Sequence, residues 1–155
     1  MKLAVQELVV DAPIEQLFEL LVDRELFVLW MADDATLDPV PGGVVRWTHR
    51  NGDSCSGTFV EVVRPSRVVF TYGWERAEVQ VPPGSTTVEI DLTARPDGST
   101  HLRLVHRGLD DDAAGAHQGG WGHYLDRLRC TAEGEHVGPD PWADRRVPTP
   151  AELIR

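Results

Sequence analysis

The chain has 155 residues and a mass of 17.2 kDa, the length of about one domain, and folding a chain this long buries enough surface for one sizeable core. Hydrophobic residues make up 41% and charged residues 26%, ordinary globular proportions, and no run approaches the roughly 18 apolar residues of a membrane helix, which argues against a membrane-spanning protein. With 25 acidic against 15 basic residues the net charge is −10, so nucleic-acid phosphates and anionic membrane surfaces are repelled rather than attracted.

The opening MKLAVQELVVDAP carries one lysine and no long apolar run, so no signal peptide is expected there. Residues 2–10 read as a first strand. Asp11 is a candidate helix cap, and Pro13 fits a first helical turn, where its missing N–H costs nothing. Ile14, Leu17, Phe18 and Leu21 then form one apolar stripe of a short helix. Asp23 opens a second short helix through Leu26, Leu29 and Trp30. Residues 31–43 follow as a long loop, because Pro39, Pro41, Gly42 and Gly43 oppose a regular element across it.

From Val44 the hydrophobic period becomes two. Val45, Trp47 and His49 share a strand face, and Asn51-Gly52 is a strong hairpin signal. Strands are expected at 54–63, at 67–74 with Val68, Phe70, Tyr72 and Trp74 on one face, at 86–94 with Val88, Ile90 and Leu92 inward, and at 101–107 with Leu102, Leu104 and His106 inward. Strands with one apolar and one polar face, joined by short turns, predict an antiparallel sheet covered on one side. Asp110–Asp112 then opens a long helix to about Glu133. His117, Trp121, Tyr124 and Leu128 share one face of it, with Leu125 at the edge. Gly115, Gly119, Gly120 and Gly122 cost its first half roughly 3–4 kcal/mol of intrinsic helix support, so that half is either held by something else or able to move. The last 22 residues, 134–155, hold four prolines and read as a tail with Trp142 as its large apolar group, docked on the body or on a second protomer.

The order is α+β: a strand, two short helices, antiparallel strands, and a long C-terminal helix. It resembles the helix-grip fold of START-related and Bet v 1-like proteins, with six to seven strands wrapped around the last helix. VDAPIEQLFELLVD ahead of Trp30, Gly57-Thr58-Phe59-Val60-Glu61-Val62, RVVFTY at 67–72 and GWGHYLDRL at 120–128 resemble the Hsp90-ATPase-activator-homologue-like group over roughly residues 3–133. The chain therefore divides into a helix-grip domain at 1–133 and a proline-rich tail at 134–155. The resemblance implies a deep cavity between sheet and helix, where many relatives hold apolar or aromatic small molecules. Trp47, Phe70, Tyr72, Trp74, Leu104, His106, Trp121 and Tyr124 are the wall material this chain offers.

Among these, His106 points inward and is either a ligand-facing imidazole or a core histidine satisfied by a neighbour. His49 faces the same way as Trp47, but its place near a hairpin tip predicts exposure. Glu61 lies on a strand whose two faces are both mostly apolar; a solvated, outward carboxylate is the simpler reading. No metal site is expected: His101 and His106 fall on opposite strand faces, and no histidine pair has the separation zinc favours. No phosphate loop or nucleophile elbow occurs, so no cofactor is assigned. Cys55 and Cys130 form no disulfide or metal framework, which fits free thiols in a reducing cytoplasm.

The sequence thus reads as a cytoplasmic binder of a small apolar or aromatic molecule, with no chemistry assigned. An alternative is a cyclase-, aromatase- or hydrolase-type enzyme with His106 as proton shuttle and Tyr72 or Tyr124 donating to a substrate carbonyl. A third is an interaction module using the Trp142 tail; the resemblance spans one domain with no separate client-binding domain, which argues against an Hsp90-type partner. A homodimer through a sheet edge or the tail is also expected.

Overall fold

The computed structural model describes residues 2–149 and 152. Seven antiparallel strands form one sheet in the order β1-β7-β6-β5-β4-β3-β2. They are β1 (Lys2–Val10), β2 (Asp34–Leu37), β3 (Val44–Thr48), β4 (Ser54–Val63), β5 (Arg67–Tyr72), β6 (Thr86–Ala94) and β7 (Thr100–Leu109). Helices α1 (Ile14–Val22) and α2 (Arg24–Phe27) follow β1, and α3 (Asp111–Ala132) follows β7. This is the helix-grip arrangement. Alternation sets the inner face: Val88, Ile90 and Leu92 of β6 and Leu102, Leu104 and His106 of β7 are all buried.

Two local expectations are corrected. The 31–43 segment contains β2, pairing Asp34–Leu37 with Val45–Thr48; the prolines and glycines that oppose a strand begin only after it. Asp11 does not cap α1, whose N-cap is Pro13 without a side-chain bond; the Asp11 N–H instead donates to Glu133 at the far end of α3. Asp23 does cap α2, accepting from the Glu25 N–H at 2.9 Å, and Asp110 caps α3 through the Ala113 N–H at 2.8 Å.

The glycine-rich half of α3 is held from outside the helix. Gln118 accepts from the Val5 N–H at 2.8 Å and donates to the Val5 carbonyl at 2.5 Å. It occupies the outer edge of β1 as a neighbouring strand would. Gln6 donates to the Gln118 carbonyl at 2.8 Å. Trp121, Leu125 and Leu128 are buried beneath. Glycine also has a steric role in β4: a Cβ on Gly57 would lie 1.9 Å from the Thr71 carbonyl oxygen, so only glycine permits that approach of β4 to β5.

Glu61 faces outward. It pairs with Arg67, which also reaches Glu89 and Asp91 on the solvent side of the sheet. Beyond α3 the chain turns back over the body. Arg127 donates to the carbonyls of Trp30 and Gly138, and a single 3-10 turn at Pro141–Asp144 lays Trp142 parallel on His123, ring centroids 4.0 Å apart.

Candidate functional site

The aromatic residues of β3, β5 and α3 meet at one end of the grip. Trp47 packs against Phe27, Phe70 and Tyr72. Tyr72 sits edge-on to His106 and His117 and beside Trp121. Between them lies a cavity of about 50 Å³, lined by Met31, Trp47, His49, Cys55, Tyr72, Trp74, His117, Gly120, Trp121 and Tyr124. Of the residues expected on the wall, Trp47, Tyr72, Trp74, Trp121 and Tyr124 are brought together there. Phe70, Leu104 and His106 are not: Phe70 stands edge-on behind Trp47 and Phe59, Leu104 is wholly buried, and so is His106.

His106 is satisfied by its neighbours. The Trp121 indole N–H donates to its Nδ1 at 3.0 Å. Nε2 therefore carries the proton and donates to Thr86 Oγ1 at 2.8 Å, and that hydroxyl donates to the Tyr72 carbonyl at 2.7 Å. Burial, with the nearby His117, pushes the His106 pKa down to about 3. Both nitrogens are occupied and the ring stays neutral, which does not suit a proton shuttle.

His117 repeats the pattern. Its Nδ1–H donates to the Ala113 carbonyl at 2.7 Å, and Nε2 accepts from the Trp74 indole at 3.1 Å. Burial lowers its pKa as well. Cys55 donates to the Tyr72 hydroxyl at 3.6 Å. Burial raises both the thiol and the phenol, so neither ionises near neutrality.

His49 overturns its expected exposure. It is buried, because Tyr124 packs over it at 5.5 Å and Trp74 stacks beside it. Its pKa falls through desolvation, only partly opposed by Asp140, Asp33 and Asp53. Two buried polar atoms have no partner among the described residues: the Trp47 indole N–H and Nδ1 of His49. Both residues line the cavity. The polar atoms of Tyr72, Trp74, His117, Trp121 and Tyr124 around it are bonded, so these two mark where a further polar atom fits.

A second, larger chamber of about 420 Å³ adjoins the first, sharing His49, Trp74, Gly120 and Tyr124 with it. Its outer wall is Pro141, Trp142 and 145–148 of the C-terminal segment. Two buried carboxylates hold that segment down. Asp53 accepts from Arg76, from Arg146 and from the Val147 N–H at 2.8 Å. Asp140 accepts from His123 at 2.7 Å, Tyr124 at 2.5 Å and the Trp142 N–H at 2.9 Å. Burial opposes ionisation of each, but these donors outweigh it and lower both pKa values. Desolvation first, then the bond to Asp140, raises the Tyr124 phenol.

Sequence reasoning missed Met31, His49, Cys55, His117 and Gly120 as lining residues. His117 shared the helical face of Trp121 and Tyr124, so a signal existed. Gly120 had none, since a residue without a side chain lines a space only by leaving it open. Among the described residues no cluster of three or more metal-ligating side chains occurs, and no helix is long and apolar enough to cross a membrane.

Comparison with solved structures agrees with this architecture. Protein MLL2253 of Mesorhizobium loti superposes with a TM-score of 0.76 at 21% identity, over 85% of this chain and 97% of its own. DynU16, a protein of the dynemicin biosynthetic locus, gives 0.74 at 19% identity over 88% of this chain, which spans only 49% of DynU16. The Aha1 dimer of Colwellia psychrerythraea gives 0.73 at 15% identity over 90% of this chain and all of its own. At these identities the likeness is one of fold. No curated protein matches the sequence. The sequence model of one family, described as activator of Hsp90 ATPase homolog 1-like protein, matches residues 11–133, spanning α1 to the end of α3. By that match and that fold, the chain belongs to the activator of Hsp90 ATPase homolog 1-like family.

Proposed function

We propose that this protein binds a small, planar, largely apolar molecule between the sheet and α3, without transforming it. The observation that carries the reading is the Trp47 indole N–H, buried on an aromatic cavity wall with no acceptor among the described residues. Leaving such a donor unpaired costs about 1–3 kcal/mol, and an acceptor atom on a bound molecule removes that cost. Size divides the ligand. The inner cavity, about 50 Å³, admits a hydroxyl or carbonyl group but no ring system. The ring system belongs in the adjoining chamber of about 420 Å³. Trp47, His49, Tyr72, Trp74, Trp121 and Tyr124 form the working wall, with Phe70, Leu104 and His106 as the packing behind it.

Binding is favoured over catalysis because His106, His117 and Cys55 are committed elsewhere, and burial lowers the pKa of His49, whose Nδ1 has no partner among the described residues. His106 and His117 have both nitrogens bonded and are held neutral. Cys55 is held as a thiol. Self-association is a second element of the proposal, motivated by the dimeric Colwellia neighbour. Because Gln118 occupies the β1 edge at Val5, a sheet-edge dimer would use β2. Sedimentation velocity tests it: a monomer at all concentrations removes the dimer.

Native mass spectrometry of protein purified from its own host tests the ligand reading. A co-purifying low-mass aromatic or apolar compound is expected. An apo mass, with no adduct across a panel of planar aromatic compounds, would overturn it.

A further inference from the structure

The outer chamber has a chemistry of its own. Its lining brings together Trp74, Tyr124, Trp142, Arg145 and Arg146, with no carboxylate among the described residues. That is a pointed imbalance in a chain of net charge −10. The neighbouring cations are neutralised: Arg50 pairs with Asp144, and Arg76 and Arg146 share the single buried carboxylate of Asp53. Asp140, ionised behind Tyr124 and Trp142, adds a second negative charge beside Asp53, so the cation without a partner at the rim is Arg145. The Arg145 guanidinium has no hydrogen bond or ion pair among the described residues. Only its backbone carbonyl is engaged, accepting from Asn51 at 2.6 Å, and that bond holds Arg145 at the chamber wall.

From this arrangement we infer that the site takes a planar aromatic acid, with its carboxylate paired to Arg145 under the C-terminal segment and its ring against Trp74, Tyr124 and Trp142. The inference rests on the reading of the cavity as a ligand site, and it adds the ligand's charge. A guanidinium suits the role, since its planar fork meets a carboxylate through two parallel N–H donors. Residues 140–148 lie beyond the family's matched span of 11–133, so the anion-recognising wall stands outside the part of the chain that the family model describes.

The test uses the full-length protein and two probes of matched shape, 2-naphthoate and its neutral analogue 2-naphthamide. Calorimetry gives Kd for each against the unaltered protein, Arg145→Gln, and Arg95→Gln, a control in the β6–β7 turn. The unaltered protein and Arg95→Gln should bind naphthoate about fivefold more tightly than the amide, the size of a partly exposed ion pair. Arg145→Gln should bind the two equally, with its amide affinity unchanged. Equal binding of both probes by the unaltered protein, or a preference that survives Arg145→Gln, would overturn the inference and leave the ligand site standing. If neither probe binds, the ligand-site reading falls with it.

Discussion

The Trp121 indole donates to Nδ1 of His106 at 3.0 Å, and this bond fixes which nitrogen of the imidazole carries the proton. Trp74 does the same for Nε2 of His117. The two histidines stand edge-on, 5.0 Å between centroids. A positive charge on either ring would lose an acceptor and face its neighbour in a dry interior.

Stability should therefore depend on pH in a particular window. His106 has a folded pKa near 3, well below its ordinary value. Its stabilisation is complete above about pH 6.5 and declines as the pH falls toward 3, because only the unfolded chain takes up the proton there. The slope is up to about 1.4 kcal/mol per pH unit for each histidine so held. Denaturant titrations at pH 7.5 and 5 should show a drop that is smaller in His106→Gln. An unchanged midpoint across this range would contradict the neutral-histidine account.

His106→Leu should destabilise the protein by about 2–4 kcal/mol, although leucine fits an apolar interior. The change leaves the Trp121 N–H and the Thr86 hydroxyl short of a partner. A loss below about 0.5 kcal/mol in urea unfolding would show that the chain from Trp121 to Tyr72 carries no weight.

Gly120 lines both chambers, and a Cβ there would meet no atom within 4 Å. Gly120→Ala should raise stability by up to about 1 kcal/mol through helix propensity. Gly120→Leu should keep the fold and weaken binding of a planar aromatic probe about tenfold, by filling the passage between the chambers. Unchanged affinity in the leucine variant would move the ligand away from this passage.

Asp53→Asn should free the C-terminal segment. The carboxylate draws together Arg76, Arg146 and the Val147 N–H, and an amide cannot accept from all three as strongly. Trypsin should cut after Arg145 or Arg146 roughly tenfold faster in the variant, since cleavage follows the open population. Because the folded pKa of Asp53 is depressed, the latch should hold above the ordinary carboxylate range and be lost as the pH falls through that lower value. Equal cleavage rates would mean that other contacts hold the segment.

Much of the fold was legible in residue spacing. The alternation in 86–94 and 101–107 placed Ile90, Leu102 and Leu104 inward, and the helical face of Trp121, Leu125 and Leu128 predicted what α3 buries. The site was less legible, because it depends on contacts between distant segments. His49 sits beside a hairpin turn and is covered by Tyr124 and Trp74, which arrive from α3 and from just beyond β5. Periodicity showed that Phe70, Leu104 and His106 face the helix side. It did not show how far along the strands the cavity lies. The glycines of α3 signalled a helix in need of support, and the support came from Gln118 on the edge of β1, a pairing no local pattern encodes.

The most direct measurement is a proton–nitrogen NMR titration of the five tryptophan indoles with 6-hydroxy-2-naphthoate, whose hydroxyl oxygen can accept from Trp47 while its carboxylate meets Arg145. Trp30 is bonded to the Leu20 carbonyl, Trp74 to His117 and Trp121 to His106, whereas Trp47 has no acceptor among the described residues. The account predicts that the Trp47 indole resonance moves downfield on binding, as its N–H gains an acceptor, while that of Trp30 stays in place. A saturable titration in which Trp47 does not move would contradict the claim that its N–H awaits a ligand.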